Sequence, residues 1–290
     1  RFLMSGISKQ LVLHFSKNVI FNLFKTKFRN KTCFQLRHSS SSGKVSVMDN
    51  NLTIASKNFD GEISAVGAFI KSGSRYCKNY PSGITYLVKR MAFTCTRKFT
   101  ESTAVGDQIN YIQGVADCQS SRDLMIYALM FSSKKLEKSI ELLGESFLRP
   151  LYSSKMIEKT KSNILSELEQ EKYAPEPEVE FTQLRYHASY NEINLGIPEI
   201  PTPGSLSNVN EGTIRSYHNA LYKPERTVIA GINVDHDSLI DYVQKYIQFP
   251  ETTSIGSSSF PIDGFPAKYT GGASIKCTKK PRTQPGHIEF

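Results

Sequence analysis

From Gly83 onward, Ile84, Leu87, Val88 and Met91 fall at i, i+3, i+4 and i+7. They predict an amphipathic helix over 83–93, entered through Tyr80-Pro81-Ser82 with Ser82 as its N-cap. Ahead of it, Val45-Ser46-Val47 and Leu52-Thr53-Ile54-Ala55 read as a hairpin across Asp49-Asn50-Asn51. The run 63–70 reads as a buried strand closed by Lys71-Ser72-Gly73-Ser74-Arg75. Beyond the helix, 102–113 predicts a second one, then 115–120 and 123–131 two strands joined by a tight turn. Leu136, Ile140, Leu143 and Phe147 mark a helix that Pro150 ends. Helices over 153–172 and 178–189 follow, and Pro198, Pro201 and Pro203 with Gly204 mark a loop. A helix at 208–221, a buried strand at 226–233 and a closing helix at 236–247 complete the pattern. Hairpins mixed with helices favour an α+β fold, a mixed or antiparallel sheet packed with helices, over a doubly wound one.

The formal charge of +9 changes meaning once it is located. Nine of the 36 Lys and Arg precede Asp49, the first acid, so the rest of the chain carries as many bases as its 27 acids. A neutral body lacks the basic face that nucleic-acid binding needs. Residues 1–44 read instead as a mitochondrial targeting presequence. Leu11, Leu13, Phe15, Val19, Leu23 and Phe28 are interleaved with cations and close in Arg37-His38-Ser39-Ser40, with a cut expected one to three residues after Arg37. His14, Ser16 and Lys17 interrupt the apolar run, which argues against a secretory signal. No apolar run approaches the roughly 18 residues that span a bilayer. Residues 45–249 form the expected domain. The segment 250–290 turns Ser-, Gly- and Pro-rich and reads as a linker plus the start of a truncated second domain. An opening on Arg1 reads as a fragment edge, with Met4 a possible initiator. Five cysteines, odd in number and never paired as C-x-x-C, read as free thiols.

Candidate chemistry centres on the helix at 83–93. In inverted zinc peptidases an H-x-x-E-H run on such a helix presents two imidazoles to the ion, and the Glu between them activates water. The matching positions here hold Tyr86, Lys89 and Arg90, and two fixed cations repel a divalent ion. No two histidines are four residues apart, so no helical His pair replaces them. Phosphate-loop and G-x-S-x-G patterns are absent as well. The run Glu167, Glu169, Glu171, Glu176, Glu178 and Glu180 has two readings. It could steer cationic peptides at long range, or form a solvated face partly balanced by Lys161 and Lys172.

Several runs occur in the order of a known family: Ser72-Gly73-Ser74-Arg75-Tyr76, residues 87–93, Asp117-Cys118-Gln119-Ser120-Ser121-Arg122-Asp123, Glu167-Leu168-Glu169, Pro175-Glu176-Pro177-Glu178 and Tyr269-Thr270-Gly271-Gly272. Over 45–290 the chain resembles the alpha-subunit family of the mitochondrial processing peptidases, in the pitrilysin/insulinase clan (M16). The Asp-Cys-Gln-x-Ser-Arg-Asp run is the specific part. The resemblance implies an N-terminal M16-type half, with a homologous second half to follow. It implies a matrix-located, non-catalytic partner of a beta subunit that carries the zinc, assisting the cleavage of basic presequences. It places the distal ligand position at Glu167, and an ion pair of Glu167 with Arg90 or Lys89 is expected in place of the metal. The family's glycine-rich substrate loop lies in the second half and is not Gly271-Gly272, so no residue here inherits that role. The alternative is a core protein of respiratory complex III, a structural subunit of the same fold.

Overall fold

Every second residue of β5 (Met125–Ser132) is buried: Met125, Tyr127, Leu129 and Phe131 face one way, Ile126, Ala128 and Met130 the other. That alternation fixes which face of the sheet meets the helices. The computed structural model describes residues 43–59, 61–101, 103–173, 177–191, 194–250 and 269–270. The expected presequence up to Ser42, most of 250–290 and Glu176 lie outside them. Six strands form one mixed sheet in the order β1-β2-β6-β3-β5-β4, comprising β1 (Lys44–Val47), β2 (Thr53–Lys57), β3 (Ile63–Ile70), β4 (Val115–Ser120), β5 and β6 (Thr227–Ile232). Only β2 and β6 run parallel, so the last strand enters beside the first hairpin and closes the sheet's centre.

Helices α1 (Ile84–Met91), α2 (Ala104–Tyr111), α3 (Leu136–Leu148) and α4 (Ser154–Tyr173) lie where helices are expected, α1 and α3 on their predicted periodicity. They are joined by α5 (Pro177–Tyr190), α6 (Pro203–Ser207), α7 (Glu211–Leu221) and α8 (His236–Tyr246). Ile84, Leu87, Val88 and Met91 of α1 are buried in one core with Tyr127, Leu129, Ile140, Phe147 and Tyr217. Helix α1 packs on the edge strand β4 and on α4, which sets the stage for the site. The other sheet face is also apolar, with Phe69, Val228 and Ala230 buried and Val45, Val47, Ile63 and Val115 exposed.

Two expectations fail locally. Ser82 does not cap α1; Gly83 does, at φ 84°, with no side-chain cap, while the Ser82 hydroxyl points to the Pro198 carbonyl. Glycine is required there twice over, for the left-handed backbone and because a Cβ would lie 2.3 Å from the Pro201 Cβ. The Pro-rich loop is helical from Pro203, because Thr202 and Ser205 form a reciprocal capping box with proline at the first helical position. Elsewhere the caps sharpen the expected ends: Asn210 caps α7 and Asp235 caps α8.

Among the described residues, His236 and His218 are the buried histidines, and each has a hydrogen-bond partner. His236 bridges the Ser46 and Ser56 hydroxyls, each at 2.8 Å. His218 lies 2.7 Å through Nε2 from the Phe147 carbonyl and stacks on Tyr222. Burial pushes its pKa from 6.5 down to about 4, against the pull of that carbonyl. The unfolded chain therefore binds the extra proton first. The contribution is full above pH 6.5 and is lost as pH falls toward 4, at about 1.4 kcal/mol per unit of the gap. A His218→Gln variant should show a flatter stability profile than the native chain in urea titrations across that window. Parallel profiles would contradict the assignment.

Candidate functional site

Helix α1 presents Tyr86, Lys89 and Arg90 on the side away from its core stripe, half-buried, half-buried and exposed in turn. Its partner across the site is α4, from which Glu167 projects nearly two turns before the helix ends at Tyr173. Arg90 donates from Nη2 to Glu167 Oε1, the expected ion pair. Both side chains are about two-fifths exposed, at 39% and 44%, so the pair is a surface one. Glu167→Gln should therefore cost no more than about 1 kcal/mol in urea unfolding, with the difference shrinking in salt. A loss of several kcal/mol would show that the pair is a buried strut instead.

Lys89 takes no part in that pair. Its Nζ sits 4.3 Å from the centroid of the Tyr86 ring, a cation–π contact within α1. Burial lowers its pKa, offset in part by Cys118, Glu199 and Asp117. A divalent metal does not fit this donor set. Glu167 already neutralises a guanidinium, Lys89 adds a second cation, and Tyr86 offers a phenol. Among the described residues, no group of three or more His, Cys, Asp or Glu could hold a metal ion.

Beside Tyr86 and Lys89 opens a cavity of about 410 Å³, walled by Ser120, Arg122, Thr182, Gln183, Glu199 and Ile200. Arg122 builds its far wall and is buried. It donates to the Leu195 carbonyl at 2.8 Å, Glu199 at 2.6 Å and Gln183 at 3.2 Å, and stacks over the Tyr186 ring at 3.7 Å. Burial raises the pKa of Glu199, while Arg122 and Lys89 hold it down. The same turn is gripped from behind, since Gly73, Ser74 and Arg75 donate backbone N–H groups to Asp123, Ser121 and Arg122. A Cβ at Gly73 would meet the Arg122 carbonyl oxygen at 2.3 Å, and Arg75 pairs with Asp123. Two of the runs that carried the resemblance thus lock each other in space.

Sequence reasoning assigned no role to Arg122, Gln183 or Glu199. Arg122 stood inside the specific run, which was the available signal; Glu199 lay among prolines and carried none. Of the acidic run, Glu167 is engaged by Arg90 and Glu169 is exposed. Glu176 lies outside the described residues, as do the side chains of Glu171, Glu178 and Glu180. Lys161, expected to balance that run, pairs with Glu158 at 2.8 Å. Cys118 sits on β4 with its thiol 3.8 Å from the Met125 sulfur, and burial raises its pKa. Cys77, Cys95 and Cys118 are free thiols; Cys33 and Cys277 lie outside the described residues.

Residues 53–200 match the model of the insulinase family, peptidase family M16. The chain is 33% identical over 229 residues to the mitochondrial-processing peptidase subunit alpha of Homo sapiens, covering 79% of this chain and 44% of that protein. It is 24% identical over 244 residues to the mitochondrial-processing peptidase subunit beta of Dictyostelium discoideum, covering 83% of this chain and 50% of the relative. It therefore spans about half the length or less of these relatives. Its fold resembles the crystal structure of a protease from Helicobacter pylori with a TM-score of 0.66 at 17% identity, over 74% of this chain and 53% of the other.

Proposed function

Because the chain belongs to the insulinase family, peptidase family M16, we propose that it acts as a non-catalytic, alpha-type subunit of a mitochondrial processing peptidase. In this reading it sits in the mitochondrial matrix and pairs with a beta subunit that carries the zinc. The pair recognises and cleaves the N-terminal presequences of imported precursors. One observation carries the non-catalytic part: the pairing of Arg90 with Glu167 across the two positions where a family metal site would gather ligands. The similarity to an alpha subunit supports the role, and the similarity to a beta subunit supports a partner of the same fold. No helix among the described residues is long and apolar enough to cross a membrane. The alternative of a complex III core protein gains nothing from these relatives, which are processing-peptidase subunits.

The test is reconstitution. Co-expressed with a zinc-bearing beta subunit, the chain should co-purify with it, and precursor cleavage should require both. The salt dependence of presequence binding in the same assay reads any steering by the acidic run. Co-purification with cytochromes in a membrane complex, or failure to bind any beta subunit, would reject the reading.

A further inference from the structure

The cavity beside α1 has a charge arrangement that the subunit role leaves unused. Three charged side chains reach it: Lys89, Arg122 and Glu199. Arg122 is committed, with its three donor nitrogens on Leu195, Glu199 and Gln183 and its guanidinium plane on Tyr186. Glu199 is committed to Arg122 in turn. Lys89 is the member left over, its ammonium resting on the Tyr86 ring and making no hydrogen bond to the described residues. An ammonium has three donors, and one partly withdrawn from water is short of partners. Counted over the lining side chains alone, the excess is one positive charge, with Asp117 acting on Lys89 from outside the lining. This suits a monoanion, whereas a dianion such as phosphate would meet the Glu199 carboxylate with its second charge. Ser120, on the same wall, closes β4 at the sheet edge, so a chain lying along that edge reaches the cavity.

We propose that this cavity binds a peptide carboxylate, with the Lys89 ammonium as its counter-charge. The site deepens the non-catalytic reading and rests on it: at the position where an active relative would carry its water-activating carboxylate, this chain carries a group that holds one. Two sources share the chemistry, an acidic side chain within a peptide and the free C-terminal carboxylate of a released one.

Three short fluorescein-labelled Ala/Ser peptides separate them. One has a central Glu and an amidated end, one a central Gln and an amidated end, and one a central Gln and a free C-terminus. Titrated against the full chain by anisotropy, at least one carboxylate peptide should bind about tenfold tighter than the neutral one, the range of a charge-assisted hydrogen bond. The preferred peptide identifies the source. Lys89→Met should abolish the preference while Lys89→Arg retains it, and circular dichroism of both variants checks that they fold. Equal binding of all three peptides, no measurable binding of any, or a preference that survives Lys89→Met overturns the proposal. If the preference is absent but the chain still supports cleavage with a beta subunit, the carboxylate site falls alone. If pairing fails and the preference holds, the subunit reading falls instead.

Discussion

Replacing Arg122 with alanine is expected to lower stability by about 3 kcal/mol, read as a fall in the urea midpoint at unchanged slope. Arg122 is buried to within a tenth of its side-chain surface, and Glu199 to within a quarter. Truncation removes the guanidinium and leaves the Glu199 carboxylate in a half-buried wall without its partner, beside a Leu195 carbonyl and a Gln183 oxygen that lose their donor. Removing one member of a buried pair costs more than the pair itself contributes, since the remaining charge is stranded. Arg122→Lys should lose less, because an ammonium can still meet Glu199. It cannot span three acceptors or stack on Tyr186, so part of the loss remains. Equal midpoints for native and Arg122→Ala chains would mean that the wall relaxes around the gap.

Tyr217→Ala should cost about 3–5 kcal/mol, the range for removing a large buried ring. Tyr217 on α7 is fully buried, and its hydroxyl donates to the Ser72 carbonyl. The ring packs edge-on against Tyr80 at 5.5 Å and near Tyr222 at 6.2 Å. Ser72 and Tyr80 bound the segment that leads into α1, so this one side chain positions the helix that carries Lys89. Tyr217→Phe should cost about 1 kcal/mol, keeping the ring and losing only the hydroxyl bond. Amide exchange within Ile84–Met91 is expected to rise in the alanine variant and stay near native in the phenylalanine one. Unchanged exchange in both would disconnect Tyr217 from the site.

The sheet and most helices were legible because their signals are periodic: alternation in β5, steps of three and four in α1 and α3. What failed was decided by contacts that periodicity does not carry. Ser82 has the right chemistry for a cap, yet the close approach of Pro201 forces a left-handed glycine into that place. The prolines at 198, 201 and 203 signalled a loop, while the capping pair Thr202 and Ser205 wound a turn of helix from them. At the site, the identities of Tyr86, Lys89 and Arg90 were readable by spacing, and the Arg90–Glu167 pair followed from the resemblance. The cavity was not, because its walls come from β4, α5 and the 199–200 segment, distant in sequence and tied together by the buried Arg122.

Metal content and peptidase activity of the isolated chain, measured on one preparation, test the central claim most directly. With Tyr86, Lys89 and an Arg90–Glu167 pair where ligands would gather, the purified polypeptide should hold far less than one zinc per chain and leave a presequence peptide uncut until a beta subunit is added. One zinc per chain, together with cleavage that persists after every partner has been removed, would contradict the account.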